Sequence, residues 1–411
     1  MKSFFTHTWA IFFGYALICL GHGLQGTLIG VRAIVEGFTY VSTGFVIAGF
    51  YLGYLGGSII IPILLSRVGH IRVFAALASL ASIAILLHSI FVEPVSWFLI
   101  RILTGISIAG IFIIMESWIN DKSNNETRGK VLSVYMIITF SFVGLGQFLL
   151  NLSDPAKVDL FILISILLSF ALLPILLSLS SAPSFKNAQR FTFKELYIIS
   201  PLGFLGAFFT GMAHSAIFGY GAVYATAKSL SLLEISIFMA IVTFFGAIFQ
   251  WPIGFLSDRI DRRIILIGVT FTAAGLSILI LISSYLSLIT FFILLAIYSG
   301  MSLPMYALVV AHTNDYLQPH EIISASSSIA ILVGLGCIVG PILTAIFMRI
   351  FEADGFFIYL LIVHSILGLF GLYRMTKRTK SRDLESQYVP LPRNITAAGM
   401  ELNPKTDPLE D

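Results

Sequence analysis

Residues 160–179 read LFILISILLSFALLPILLSL. Twenty residues pass without a charge, broken only by three serines and a proline. Coiled as a helix at about 1.5 Å per residue, such a run crosses the roughly 30 Å hydrocarbon core of a bilayer. A membrane β-barrel would instead show segments of about ten residues that alternate polar and apolar. Nothing alternates here. In hydrocarbon each backbone N–H and C=O must be satisfied inside its own segment, so the stretch is a membrane-spanning helix.

The rest of the chain agrees. Of its 411 residues 57% are hydrophobic and only 11% charged, and the mean hydropathy is +0.96. Soluble domains carry about 25% charge and keep a polar skin, so a soluble fold is excluded. Twelve apolar runs are long enough to span: roughly 8–31, 39–65, 72–92, 95–119, 130–151, 158–180, 197–221, 232–256, 264–284, 287–312, 322–348 and 355–374. The closest division, near Tyr285, separates the ninth run from the tenth. The first run has the basic start of a signal peptide but lacks a small-x-small cleavage site, and it reads as the first span. The expected class is an all-α polytopic membrane protein. Its two cysteines, Cys19 and Cys337, both lie in spans and make no disulfide or metal framework.

Basic residues orient the spans. With the N-terminus inside, 19 of the 24 Lys and Arg fall in inner segments, four (Arg32, Lys157, Lys228, Arg349) fall outside, and Arg101 lies within a span. The positive-inside rule then puts both termini in the cytoplasm of a cell whose plasma (inner) membrane holds the protein.

The chain also repeats. His22 matches His214 at an offset of 192, and SRVGHIR (66–72) matches the loop in GFLSDRIDRR (254–263) at the same offset. Asn120-Asp121 matches Asn314-Asp315 at 194, and VGLG at 143–146 matches VGLG at 333–336 at 190. Four matches in order at nearly one spacing argue for two parallel six-span halves, expected over 1–180 and 197–375. A linker at 181–196 and a polar, proline-containing tail at 376–411, read as disordered, complete the plan. In parallel repeats of this kind a substrate site lies at the interface of the repeats, and transport is a rocking of one against the other.

These motifs carry a resemblance. GFLSDRIDRR, with Gly254, Asp258, Arg259, Arg262 and Arg263, resembles the loop signature of the major facilitator superfamily, which that family carries after span two and often again after span eight. Here the copy after span two, PILLSRVGHIR (62–72), has Pro62 for the glycine and Ser66 for the aspartate, while keeping Arg67. Arg101, Gly105 and Gly110 resemble the family's RxxxG-type motif of span four, which is linked to proton coupling. GLGCIVGP (334–341), with Gly334, Gly336, Gly340 and Pro341, is similar to the antiporter glycine-proline motif, displaced from span five to span eleven. ESWIND with NETRG (116–129), the loop QWPIGFLSDR and the tail VPLPRN look like the YcaD-like branch of that family. The resemblance implies its twelve-helix fold in two pseudo-symmetric bundles and a transporter, without naming a substrate.

Candidate pathway residues follow from cost. An ionisable side chain in hydrocarbon costs about 2.5–3.5 kcal/mol on insertion scales and therefore faces the bundle interior. Arg101 and Glu116 meet that description. They lie fifteen residues apart, about 22 Å along one helix and within roughly 60° of one face, too far to pair but placed to line two ends of one path. Arg101 reads alternatively as an arginine snorkelling to the headgroups, and Glu116 as an inner-end residue held by Asn120 or Arg128. His22 and His214 are the two symmetry-related histidines, each a proton carrier or a histidine bonded to a backbone carbonyl. Gln25, Gln147 and Gln250 are further polar groups in spans, as pathway or as interhelical glue. Arg32 and Glu36 are an ion pair or a filter at the outer mouth. The loop residues with Arg67 and Arg128 form a candidate gate, in which Asp258 is expected to face a helix N-terminus near Arg128 and Lys130.

No GxxxxGK[ST] phosphate loop and no nucleophile-base set stand out, so neither ATP drive nor catalysis is expected. The reading is a secondary transporter of an unknown small molecule, proton-coupled, with efflux ahead of uptake or facilitated diffusion. No cofactor, metal or nucleic acid is expected, and the chain is read as a monomer in the lipid bilayer. A non-transporting sensor or scaffold is the alternative from another class.

Overall fold

The computed structural model describes residues 2–121, 123, 127–176, 191–283, 287–377, 388–392 and 395–400, and among these residues the regular structure is helical, without strands. Among the described residues, eleven helical stretches are long and apolar enough to cross a membrane. The last runs for 56 residues, Ile322–Lys377, and contains two helices, Ile322–Phe351 and Gly355–Lys377, joined by a 3-10 turn at Glu352–Asp354. The crossing segments therefore correspond to the twelve runs of the sequence.

By its contacts the chain divides into two compact units, the first reaching Gln189 and taking in the tail from Asn394, the second running Arg190–Arg393. The first unit holds α1 (Trp9–Val35), α2 (Tyr40–Val68), α3 (His70–Ile90), α4 (Pro94–Asp121), α5 (Arg128–Leu152) and α6 (Asp159–Leu176). Here α2 packs along α4, α1 along α5 and α6, and α3 along α4 and α6. The second unit holds α7 (Pro201–Ala227), α8 (Leu232–Ser257), α9 (Arg262–Ser283) and α10 (Leu288–Asn314), then α11 (Ile322–Phe351) and α12 (Gly355–Lys377). Its pairings repeat those of the first: α7 with α11, α8 with α10, α9 with α12.

Local chemistry sets the boundaries. Thr39 starts α2 by accepting the N–H of Ser42 at 3.1 Å, and Ser231 with Glu234 forms a capping box on α8. Gly69 is the single residue between α2 and α3, and its φ of +89° is open to glycine but not to a side chain. The seventh span begins later than its hydropathy suggests. Thr192 and Glu195 cap a separate helix at Phe193–Ile199, then Ser200 caps a new one whose first residue is Pro201. Proline lacks the N–H to continue a helix but suits its first turn, so the expected 197–221 becomes Pro201–Ala227.

Backbone seams join the paired helices. A Cβ on Gly23 would fall on the Val143 carbonyl, and one on Gly146 would fall on the Leu20 carbonyl. In the second unit Gly211 meets the Val333 carbonyl and Gly336 that of Phe208. The VGLG repeat is thus one contact made twice. Without a hydrophobic drive between helices in lipid, small residues that let backbones touch supply the packing. Outward faces stay apolar, with Trp251 75% exposed and Ile289 72% exposed, as lipid tolerates and water would not.

The linker expected at 181–196 is helical from Phe193 on, and its residues 181–190 lie outside the described ones. The tail, read as disordered, is packed where it is described: Tyr388, Leu391, Ile395, Thr396 and Met400 are all buried. Its polar composition hid the apolar side chains that anchor it.

Candidate functional site

In the first unit, α4 places Glu116 wholly buried and Arg101 at 6% exposure. The Arg101 guanidinium lies over the Phe50 ring, 4.4 Å from its centroid, a cation–π contact in place of an ion pair. Phe50 stacks on His22 at 5.8 Å, and His22 meets Phe112 edge-on at 5.8 Å. Phe112 in turn meets Tyr15 at 5.9 Å, and Tyr15 stacks on Tyr135 at 4.9 Å. Tyr135 donates its hydroxyl to Glu116 Oε1 at 2.6 Å. One unbroken column of rings therefore joins the two charges that the sequence put on one helix face. Tyr15, bonded to Thr139 at 2.7 Å, and Tyr135 had no local signal in the sequence.

The other oxygen of Glu116 faces the tail. Oε2 accepts the backbone N–H of Thr396 at 3.0 Å, that of Gly399 at 3.1 Å, and the Thr396 hydroxyl. Four donors converge on one buried carboxylate. Charge-assisted hydrogen bonds of this sort are the strong ones.

Gln147 accepts the Thr27 hydroxyl and donates to the Val143 carbonyl at 3.1 Å, which ties α1 to α5. Gln25 is buried with its amide nitrogen unbonded. Arg32 pairs with Glu36 at 2.5 Å and donates to the Pro155 carbonyl at 2.9 Å, the ion-pair reading. Gly105 lies on the Phe50 carbonyl and Gly110 on Leu77, so both glycines of the span-four motif are packing positions. Arg67 is exposed, and Arg128 is half-buried at the first residue of its helix.

In the second unit, His214 Nε2 bonds the Ser302 carbonyl at 3.0 Å. Ser302 Oγ bonds His364 Nε2 at 3.1 Å, and His364 Nδ1 bonds the Leu360 carbonyl at 2.7 Å. His214 is thus the carbonyl-bonded histidine of the two readings, with a second histidine nearby that the sequence did not flag. Gly336 and Gly340 seat α11 on α7, Gly340 against Met212 and Ser215. Pro341 is buried within α11, and Gly334 is half-buried.

The charged loop is a network inside its own unit. Arg262 binds Asp315 at 2.6 Å, Asp258 at 3.0 Å and the Ala311 carbonyl at 3.0 Å. Arg263 binds Asp261 at 2.6 Å, and Arg259 covers the Phe255 ring at 3.6 Å. Asp258 does not cap a neighbouring helix; its partners are Arg262 and the N–H of Tyr388, at 2.6 Å. Gln250, expected in a pathway or between helices, holds the tail as well, accepting the Leu391 N–H at 3.1 Å. A Cβ on Gly254 would run into the Tyr388 ring, so the signature glycine makes room for a tail residue. Burial, then the Asp258 charge, pushes the Tyr388 phenol well above its ordinary range and keeps it neutral. Among the described residues no group of three or more His, Cys, Asp or Glu is placed to hold a metal ion.

The profile of the Major Facilitator Superfamily matches residues 11–251 and 203–397, which together span almost the whole chain. The chain belongs to the major facilitator superfamily. Like other members of the superfamily it is a multi-pass integral membrane protein. It is 22% identical over 370 residues to the uncharacterized MFS-type transporter YcaD of Escherichia fergusonii, covering 90% of this chain and 95% of that one. To YcaD of Escherichia coli O7:K1 it is 23% identical over 368 residues, 89% and 95% of the two chains. Solved structures share the superfamily fold. A mutant of the nucleoside transporter NupG superposes with a TM-score of 0.76 at 13% identity, over 89% of this chain and 98% of that chain. A bacterial homologue of the human lysosomal transporter Spinster, inward-facing and occupied, gives 0.73 at 15% identity, over 94% and 99%.

Proposed function

We propose that this superfamily member is a proton-coupled secondary transporter that exports a small molecule by alternating access of its two six-helix units. The observation that supports it most is the ring column between Arg101 and Glu116. A buried cation and a buried carboxylate are costly in hydrocarbon, and here they are joined through His22 and two tyrosines within one helical unit. Glu116 exchanges the proton, Tyr135 orients its carboxylate, and Arg101 holds the opposite end of the path positive. Both termini lie in the cytoplasm on the positive-inside count, in the plasma (inner) membrane. Export rests on the glycine-proline motif of α11.

The test is proton flux in proteoliposomes carrying an internal pH dye, challenged with pooled metabolites, nucleosides and cationic drugs. Nucleosides are included because NupG, a structural neighbour, transports them by name. Substrate-triggered pH change that is lost in Glu116→Gln supports the reading. Movement of labelled substrate without pH change replaces it with a uniporter.

A second reading, a non-transporting sensor, is favoured by one observation. In the first copy of the loop signature Ser66 and His70 stand where the second has Asp258 and Arg262. No flux across a broad pool, with ligand binding retained, is its expected result.

A further inference from the structure

We propose that the C-terminal segment Ile395–Met400 is a releasable intramolecular cap on Glu116, an autoinhibitory contact that withholds this carboxylate from the transport path; the functional half of this statement rests on the reading above. Glu116 Oε2 receives all three of its donors from the segment, two from Thr396 and one from Gly399. The partners stand 280 and 283 residues from Glu116 in the chain, so the contact is tertiary. The fit is close. A Cβ on Gly399 would come within 2.6 Å of the Glu116 carboxyl carbon and oxygen. Ile395 and Met400 are buried beside it, at 4% and 1% exposure, so an apolar contact flanks the polar one.

The cap is reversible in principle because it is built on a short segment. Ala397–Met400 is a single helical turn of four residues, too short to hold itself without its partners. The tail is also held upstream, in the second unit, where Tyr388 and Leu391 bond Asp258 and Gln250. Those two polar residues were singled out in the sequence as gate and pathway groups, and each is occupied by the tail. Covering an ionisable group with a tethered segment ties its availability to the segment's release.

The test reads Glu116 itself. Purified protein is treated with a hydrophobic carbodiimide, and the rate of modification at Glu116 is followed by mass spectrometry. Three forms are compared: the full chain, a chain ended after Arg393, and Gly399→Leu. The second keeps the upstream anchor, and the third keeps the full length. Modification at least fivefold faster in both altered forms, with helix content unchanged, is the expected result. Equal rates in all three overturn the cap. Hydrogen exchange supplies the second measurement. Slow exchange at Thr396 and Gly399 in the full chain, released in Glu116→Ala, is expected, and exchange at random-coil rates in the unaltered full chain overturns the proposal. Neither readout needs a substrate, so a protein that transports nothing would sink the proposed function and leave this test intact.

Discussion

Arg262 and Asp315 form a buried ion pair at 2.6 Å, with side chains 3% and 6% exposed. The pair ties the first turn of α9 to the residue that follows α10. At the equivalent places in the first unit stand His70 and Asp121, 192 and 194 residues earlier. There His70 bonds a hydroxyl, Ser117 Oγ, at 3.0 Å. The two halves share a skeleton, with an arginine in the second where the first has a histidine.

Breaking that pair has an asymmetric cost. Asp315→Ala strands a buried guanidinium, which costs about 3 kcal/mol, the low end for a broken buried pair because Asp258 and the Ala311 carbonyl still hold it. His70→Asn, which keeps a polar side chain in place of the ring, loses the bond to Ser117 Oγ, worth about 1 kcal/mol, and strands no charge. Thermal unfolding in detergent should separate the two variants clearly.

Substitutions on the ring column should divide by position. Glu116→Gln is expected to abolish proton movement while the protein folds. Tyr135→Phe removes the hydroxyl on Oε1 but keeps the stack on Tyr15, and should slow flux about tenfold, the rate equivalent of one hydrogen bond to a charged group of about 1.5 kcal/mol. Undiminished proton movement in Glu116→Gln would remove Glu116 from the path. The pH-dye assay measures both.

Ending the chain after Arg393 should raise the initial transport rate several-fold without changing the substrate. A rate unchanged or reduced in reconstituted vesicles would mean that the cap does not restrain turnover.

Glycine positions offer an internal control. Gly336→Ala forces a methyl onto the Phe208 carbonyl and should cost about 1–3 kcal/mol, as overpacking does. Gly268→Ala, in α9 with nothing within 4 Å of the added carbon, should gain about 0.5–1 kcal/mol of helix propensity. Opposite shifts in melting temperature check the pair.

The helix at Phe193–Ile199 should respond to acid. Hydrogen bonds from the Thr192 backbone and hydroxyl hold the Glu195 carboxyl below its ordinary range. A depressed folded-state value means that the stabilisation is present above the free Glu range, about pH 4.3, and is lost as pH falls through the lower folded value. Faster hydrogen exchange over 193–199 below that pH, corrected for the intrinsic rate, is expected; Glu195→Gln should show no such step.

What could be read in the sequence was whatever repeats or costs energy. Runs of twenty apolar residues gave the spans, and the VGLG repeat pointed to a contact that the structure makes twice. Arg101 and Glu116 stood out because charge is rare in such a chain. The ring column did not, since Tyr15, Phe50, Phe112 and Tyr135 are four among 51 phenylalanines and tyrosines, and only the helix pairing selects them. The span-seven start was misplaced because hydropathy is blind to a Ser-Pro break. The tail was missed for a different reason. Prolines and charges set its average, while Tyr388, Leu391, Ile395, Thr396, Gly399 and Met400 set its contacts, with hydrogen-bond partners 130 to 283 residues away.

The seams at Gly23 and Val143, and at Gly211 and Val333, are bare backbone against bare backbone. At these crossing points the glycines leave no side chain of their own between the rods to change rotamer and let one slide along the other. Each such couple is therefore carried as a single strut, and a half counts fewer independent parts than it has helices. Any lever action in this protein has to be sought between struts, at joints where side chains still separate the rods.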